Sequence, residues 1–279
     1  MQPPIDKAEI SERFNKDGYF FPIDAMSAEQ AMNYRAQLER LENQAEGQSL
    51  GNKTQLNYPH VIFKFADEIV RTPRILDAVE AIIGPNIMVW GSTFFIKEPH
   101  TESYVSWHQD LKYWGLDKDA LVSAWLALGP VTEENGCMRF VPGSHTGKML
   151  EHKDTFDEAN FLTRGQEADV EIADEDTVQV PLKPGQLSLH HGRLLHASAP
   201  NRSDERRVGL VINYLAPNMR QVVAKKDFAI LVRGEDRFGH FEQVPPPAAD
   251  MDDAAIAWHQ HILNTQNDAM YDGAAQGPA

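Results

Sequence analysis

A mostly β chain with flanking helices, built around a jelly-roll-like double sheet, is the fold class that these 279 residues predict. Three observations predict it. Apolar residues recur at helical spacing through the first 85 positions, and that spacing then stops. From 86 onward the chain breaks into short runs of β-branched and aromatic residues, separated by Pro-Gly turns. The length suits one sizeable core, since all-β barrels and sandwiches of this size form single domains. The expected organisation is one domain over 1–279. It comprises a helical part at about 1–85, a jelly-roll core at about 86–216, and an irregular cover and tail at about 217–279.

The elements follow in order. Residues 6–16 place Ile10 and Phe14 four apart and stop at Asp17-Gly18, which predicts a helix. Ser27, with Gln30 three residues later, is a capping signal for a helix to about Asn43. Residues 44–58 are rich in Gly, Asn and Gln and read as a loop. Residues 66–83 return to helical spacing, and Pro73 breaks them into two pieces. Strands are expected at 87–96, 104–108, 121–128, 137–141, 178–182, 186–191 and 207–215. The stretch 217–247 is expected to be irregular, 250–264 helical, and the last dozen residues disordered.

Composition excludes several function classes. Lys and Arg number 26 against 41 Asp and Glu, a formal charge of −15. Nucleic acid and anionic membranes are therefore not expected partners, because both need clustered basic residues. Cys137 is the single cysteine, so an intramolecular disulfide and a cysteine-based zinc cluster are both excluded. The N-terminal residues lack a basic stretch followed by an apolar one, and no apolar run approaches the roughly 20 residues of a membrane span. A soluble, cytoplasmic protein is the expectation.

A His-x-Asp pair on a strand sends one imidazole and one carboxylate to the same face. That is two-thirds of a facial triad for non-haem Fe(II). The bare motif is weak, since random order at this composition yields on the order of one such pair. This chain has two, His108-Gln109-Asp110 and His152-Lys153-Asp154. The first lies in SYVSWHQDLKYWGL, an apolar and aromatic setting able to exclude water. The second lies in MLEHKDTFDEAN, a charged stretch that reads as a solvated loop. A third ligand is expected from a later strand, with His190, His191 and His196 as candidates. The local pattern does not choose among them.

The chain from about Phe14 to Tyr214 resembles the phytanoyl-CoA dioxygenase family of Fe(II)/2-oxoglutarate oxygenases. The resembling elements occur in order. They are Phe14 through Tyr19, the strand FFIK ending at Lys97, WHQD, SAWLAL with Trp125, ENGCMRFVPGSH at 134–145, and His196 through Ser203 followed by Arg207. The resemblance implies a double-stranded β-helix (jelly-roll, cupin-like) core and a single oxygenase domain. It implies that His108, Asp110 and His196 hold Fe(II), and that 2-oxoglutarate and O2 are cosubstrates. It selects Arg207 for the far carboxylate of 2-oxoglutarate and places Ser198, Gln109, Lys97 and Trp125 near that molecule. Residue type agrees, because a guanidinium grips a carboxylate through two parallel hydrogen bonds. Arg206 would face the opposite side of a strand and reads as a surface charge.

The implied reaction hydroxylates an unactivated C–H bond of a small metabolite and releases succinate and CO2. A carboxylate at Asp110 argues against halogenation, since related halogenases carry a small residue there. Expected substrate contacts are His60, Tyr113, Trp114, Arg139, His191 and Arg233, with Asn57, Tyr58, Trp90 and His190 as further liners. Arg139 or Arg233 facing the iron would imply a carboxylate or phosphate on the substrate. Two other classes stay open: a cupin-like metal enzyme needing no 2-oxoglutarate, and a non-catalytic jelly-roll binding protein.

Overall fold

The computed structural model describes residues 4–44 and 55–270. Helix α1 (Lys7–Asp17) starts where the Asp6 side chain accepts from the Ala8 and Glu9 amides, and it buries Ile10 and Phe14. It ends at Gly18, whose φ of 83° favours a residue without Cβ. Helix α2 (Ala28–Gln44) begins at Ser27, whose Oγ accepts from the Gln30 amide at 3.1 Å. Helix α3 (Pro59–Ile62) is a single turn that the periodicity does not register. The break at Pro73 separates α4 (Lys64–Val70) from α5 (Pro73–Ile83), with the proline in the first turn, where its missing N–H costs nothing. Helix α6 (Asp253–Met270) runs past the expected end at 264. Residues 271–279 of the expected tail, and 45–54 of the expected loop, lie outside the described residues.

Among the described residues, fourteen strands follow the chain order β1 (Tyr19–Asp24), β2 (Gln55–Asn57), β3 (Ile87–Lys97), β4 (Val105–His108), β5 (Leu121–Ala127), β6 (Met138–Phe140) and β7 (His152–Asp154). The series continues with β8 (Gln166–Ala168), β9 (Val178–Val180), β10 (Gln186–His190), β11 (His196–Ser198), β12 (Arg207–Leu215), β13 (Phe228–Arg233) and β14 (Glu242–Gln243). The larger sheet has the order β1-β10-β5-β12-β3-β13-β14, with β2 also paired to β3. The smaller sheet has the order β4-β11-β6-β9, and β7 pairs with β8. Two facing sheets with helices outside are the jelly-roll arrangement that the strand pattern predicts.

Alternation along the central strands makes two faces. On β12 the even residues Val208, Leu210, Ile212 and Tyr214 join the core formed with α1, α2, α4 and α5. Its odd residues Arg207, Val211 and Asn213 face the space between the sheets. On β5, Val122, Ala124 and Leu126 take the helical face, and Trp125 takes the other.

Three expectations need correction. The stretch 217–247 is not irregular throughout, because β13 pairs antiparallel with β3. Its FAILV run is a buried-strand signal hidden among charged neighbours. Strand β1 escapes the reading because it carries Pro22. It is an edge strand, and its ladder to β10 skips between Phe20 and Ile23, where a missing N–H is tolerated. The charged stretch around His152 is not a solvated loop but strand β7, with His152 half-buried.

Candidate active site

His108 closes β4 and His196 opens β11, and the two stand directly opposite each other in antiparallel register. Their ring centroids are 4.1 Å apart. Asp110 begins the 3-10 turn after β4. Its Oδ1 lies 3.2 Å from His108 Nε2 and 3.8 Å from His196 Nε2. One donor atom from each of the three residues falls within 4.8 Å of the others. Donor atoms this close suit one shared ion, small side-chain movements bringing them to metal–ligand bonds of roughly 2.0–2.2 Å.

The protonation states suit a metal. His108 Nδ1 donates to Ser106 O and His196 Nδ1 donates to Leu194 O, each at 2.9 Å. Both Nε2 lone pairs are then free to coordinate. Burial, with His108 beside it, holds the His196 imidazole well below its usual range and therefore neutral. Burial pushes the Asp110 carboxyl up, but His196, His108 and His190 pull it well below the usual carboxylate range. Its other oxygen accepts from Ser123 Oγ at 3.3 Å and stands 3.6 Å from His190 Nε2. Two imidazoles and one carboxylate on one face are a donor set for Fe(II), and they leave positions open.

The same cavity has a cationic end. Arg207 is 2% exposed, and no carboxylate pairs with it among the described residues. One guanidinium nitrogen donates to Gly136 O, and Nε has no partner. Burial lowers its pKa to about 10, which still leaves it cationic at neutral pH. The Trp125 ring lies 5.3 Å from the Arg207 Cζ and packs flat over Gly209, where any Cβ would collide with the indole. Lys97, opposite Arg207 in register, is fully buried. Burial and the Arg207 charge pull its ammonium down to about 5. It donates to Ser198 Oγ at 2.7 Å and to the Ala199 carbonyl, so it props Ser198 rather than lining the cavity. An unpaired buried guanidinium fits an anionic ligand.

Arg206 leaves the other face of the sheet and is held by Glu42 and Glu98, as strand alternation predicts. Gln109 is a correction. It is 1% exposed, but its amide bonds Arg193 O and Leu150 N, away from the cavity. Its own N–H donates to His152 Nε2 at 3.1 Å. The second His-x-Asp pair thus buttresses the turn that carries the first, while Asp154 pairs with Arg164.

The cavity holds about 240 Å³. Tyr113 and Trp114 line it as expected, together with Asn57, Tyr58, Trp90 and His190. His60 does not line it. It sits behind Ser92, sharing a 2.6 Å hydrogen bond with that hydroxyl. Arg139, His191 and Arg233 are corrections too. Arg139 pairs with Asp174 and covers Trp107. His191 packs on Phe14 and His145, under α1. Arg233 is bound by Asp77 and Glu80 of α5. Each found an acidic or aromatic partner from a distant element, which no local pattern encodes. Sequence reasoning missed Asn213, Phe161, Leu263 and Gln266, all in the wall. Asn213 carries a readable signal, since it shares parity with Arg207 on β12. Leu263 and Gln266 arrive only through docking of α6.

Residues 14–209 match the family model described as phytanoyl-CoA dioxygenase. A probable alpha-ketoglutarate-dependent hypophosphite dioxygenase of Stutzerimonas stutzeri is 28% identical over 227 residues, covering 75% of this chain and 78% of that protein. Human peroxisomal phytanoyl-CoA dioxygenase is 28% identical over 161 residues, covering 55% of this chain but only 46% of its own length. Among solved structures, the apo form of the non-heme monooxygenase ThoJ superposes with a TM-score of 0.84 at 33% identity, covering 94% of this chain and 98% of that one. The epimerase SnoN, at 21% identity and a TM-score of 0.60 over 88% of this chain and 95% of that one, shares the fold.

Proposed function

The chain belongs to the phytanoyl-CoA dioxygenase family and is an iron- and 2-oxoglutarate-dependent oxygenase, and we propose that it hydroxylates a C–H bond of a small molecule with His108, Asp110 and His196 as the iron ligands. The observation that carries this reading is that donor set in one cavity with Arg207, a buried guanidinium that no carboxylate pairs among the described residues. A metal enzyme without 2-oxoglutarate would have no use for such a buried cation.

Iron with 2-oxoglutarate and dioxygen supplies the oxidation: one oxygen atom enters the substrate as the keto acid becomes succinate and CO2. The protein's part is to position and to shield. His108 and His196 present Nε2, aimed by their backbone-bonded Nδ1 atoms. Ser123 orients the Asp110 carboxylate. Arg207 takes the far carboxylate of 2-oxoglutarate, and Trp125 over it keeps water from that pair. Hydroxylation is preferred to halogenation because Asp110 fills the position that a halide would need. The Stutzerimonas relative is named for hypophosphite, a small anion. The wall here offers no lysine or arginine besides Arg207 among the described residues, which disfavours a second small anion as the substrate.

The test is succinate release under Fe(II), O2 and 2-oxoglutarate, with mass analysis of the product. Hydroxylation adds one oxygen atom, epimerisation changes no mass, and ring closure removes two hydrogens. His108→Ala is expected to lose both metal binding and succinate release. Metal uptake unchanged in that variant would refute the ligand assignment.

A further inference from the structure

The cavity has two unlike ends. Along β12 the inward residues run from Arg207 to Asn213, six residues or roughly 20 Å of strand. Asn213 lies beside Ser123 in register, and Ser123 donates to Asp110, so the carboxamide stands level with Asp110, at the end of β12 away from Arg207. Asn213 Oδ1 and Tyr113 OH are buried and have no hydrogen-bond partner. Buried polar atoms are normally paired, so unpaired ones in a binding wall mark where a ligand supplies the partner. Trp90 and Trp114 meet here with ring centroids 5.1 Å apart and form an aromatic corner.

Charge accounting decides the ligand class. Asp110 and Arg207 are the only Asp, Glu, Lys or Arg side chains among the described lining residues. The formal charges of Fe(II), Asp110, Arg207 and the 2-oxoglutarate dianion cancel. No Asp, Glu, Lys or Arg side chain of the described lining is then left to balance a charged substrate. Behind the wall, Asp227 is 2% exposed and fully engaged. It accepts from Trp90 Nε1 at 2.6 Å, Gln266 Nε2 at 2.9 Å and the Phe228 amide at 2.9 Å. Its carboxyl locks α6 to the aromatic corner.

Resting on the oxygenase reading above, we infer that the substrate is an uncharged small molecule with an apolar or aromatic body against Trp90 and Trp114, donating a hydrogen bond to Asn213 Oδ1. The shared family match ends at residue 209. Asn213, Asp227, Leu263 and Gln266 lie beyond it, where a specificity wall can differ between relatives with common chemistry. Asp227 is the positioning residue of that wall.

The test uses full-length protein carrying Ni(II) and saturating 2-oxoglutarate, so that Arg207 is occupied. Matched pairs differing only in charge serve as probes: benzamide with benzoate, and nicotinamide with nicotinate. Binding is read by ligand-observed NMR and calorimetry. Each amide is expected to bind at least about tenfold tighter than its carboxylate, since the anion would be buried unpaired. Asn213→Leu is expected to remove most of that amide affinity and leave Ni(II) and 2-oxoglutarate affinity unchanged. The nearly isosteric Asn213→Asp is expected to gain affinity for benzamidine. Equal or tighter carboxylate binding, amide binding indifferent to both variants, or no amide binding by metal- and cosubstrate-loaded protein would each overturn the inference. A protein that fails to take up 2-oxoglutarate overturns the oxygenase reading, and this inference with it.

Discussion

Replacing Arg207 with Met keeps most of the side-chain volume and removes the cation. Two consequences follow, of opposite sign. Truncating one partner of a buried ion pair costs about 2–5 kcal/mol, which is roughly 30- to 5,000-fold in 2-oxoglutarate affinity. Stability of the ligand-free protein should move the other way. The depressed pKa, about 10 against 12.5, means that the fold disfavours the charge by roughly 3 kcal/mol. The Gly136 carbonyl bond and the Trp125 contact each return about 1 kcal/mol. The variant should therefore lose no stability in the ligand-free protein, its Tm staying at or above that of wild type. The assays are 2-oxoglutarate titration of succinate release, and thermal melts with Ni(II), with and without 2-oxoglutarate. Wild-type protein should melt higher with the cosubstrate, and the variant should show no such shift. Arg206→Gln is the control, with cosubstrate saturation unchanged. Half-saturation within about threefold of wild type for Arg207→Met would refute the assignment. A large fall in its Tm would instead show that Arg207 is structural.

Gly209→Ala is expected to push the Trp125 indole off its seat and away from Arg207. The strain costs about 1–3 kcal/mol, so cosubstrate affinity should fall about tenfold while metal binding is kept; an unchanged 2-oxoglutarate requirement would show that Trp125 only fills space. Acid should destabilise the fold through His60, whose pKa is lowered from 6.5 to about 3, first by burial and then by His259 and Arg71. The unfolded chain takes up that proton first, so stability is lost as pH falls below 6.5, by roughly 2 kcal/mol at pH 5. Urea unfolding at pH 7 and pH 5 should show that loss in wild type and a smaller one in His60→Gln; equal losses would show that the imidazole does not drive it.

Local chemistry made much of the fold readable. The Ser27 cap, the Pro73 break and the β-branched and aromatic runs of β3, β5 and β12 act over a few residues, so they survive in the sequence. Strands β1 and β13 were hidden, one by a proline that an edge position tolerates, the other by its charged surroundings. Arg139, His191 and Arg233 show the limit most clearly. A charged or aromatic side chain settles where a partner stands, and their partners lie on elements far away in the chain.

By itself the sequence determined the donor types, the apolar and aromatic context of His108 and Asp110, and the opposite parity of Arg206 and Arg207. It left three imidazoles within seven residues for the third position. Tertiary structure separates them through register and brings His196 into the group that could hold an ion. His196 pairs directly across from His108 in the smaller sheet, whereas His190 belongs to the larger sheet and touches only the outer oxygen of Asp110. His191 turns away beneath α1. Strand pairing brings together residues 88 positions apart, and that distance is outside the reach of any local pattern.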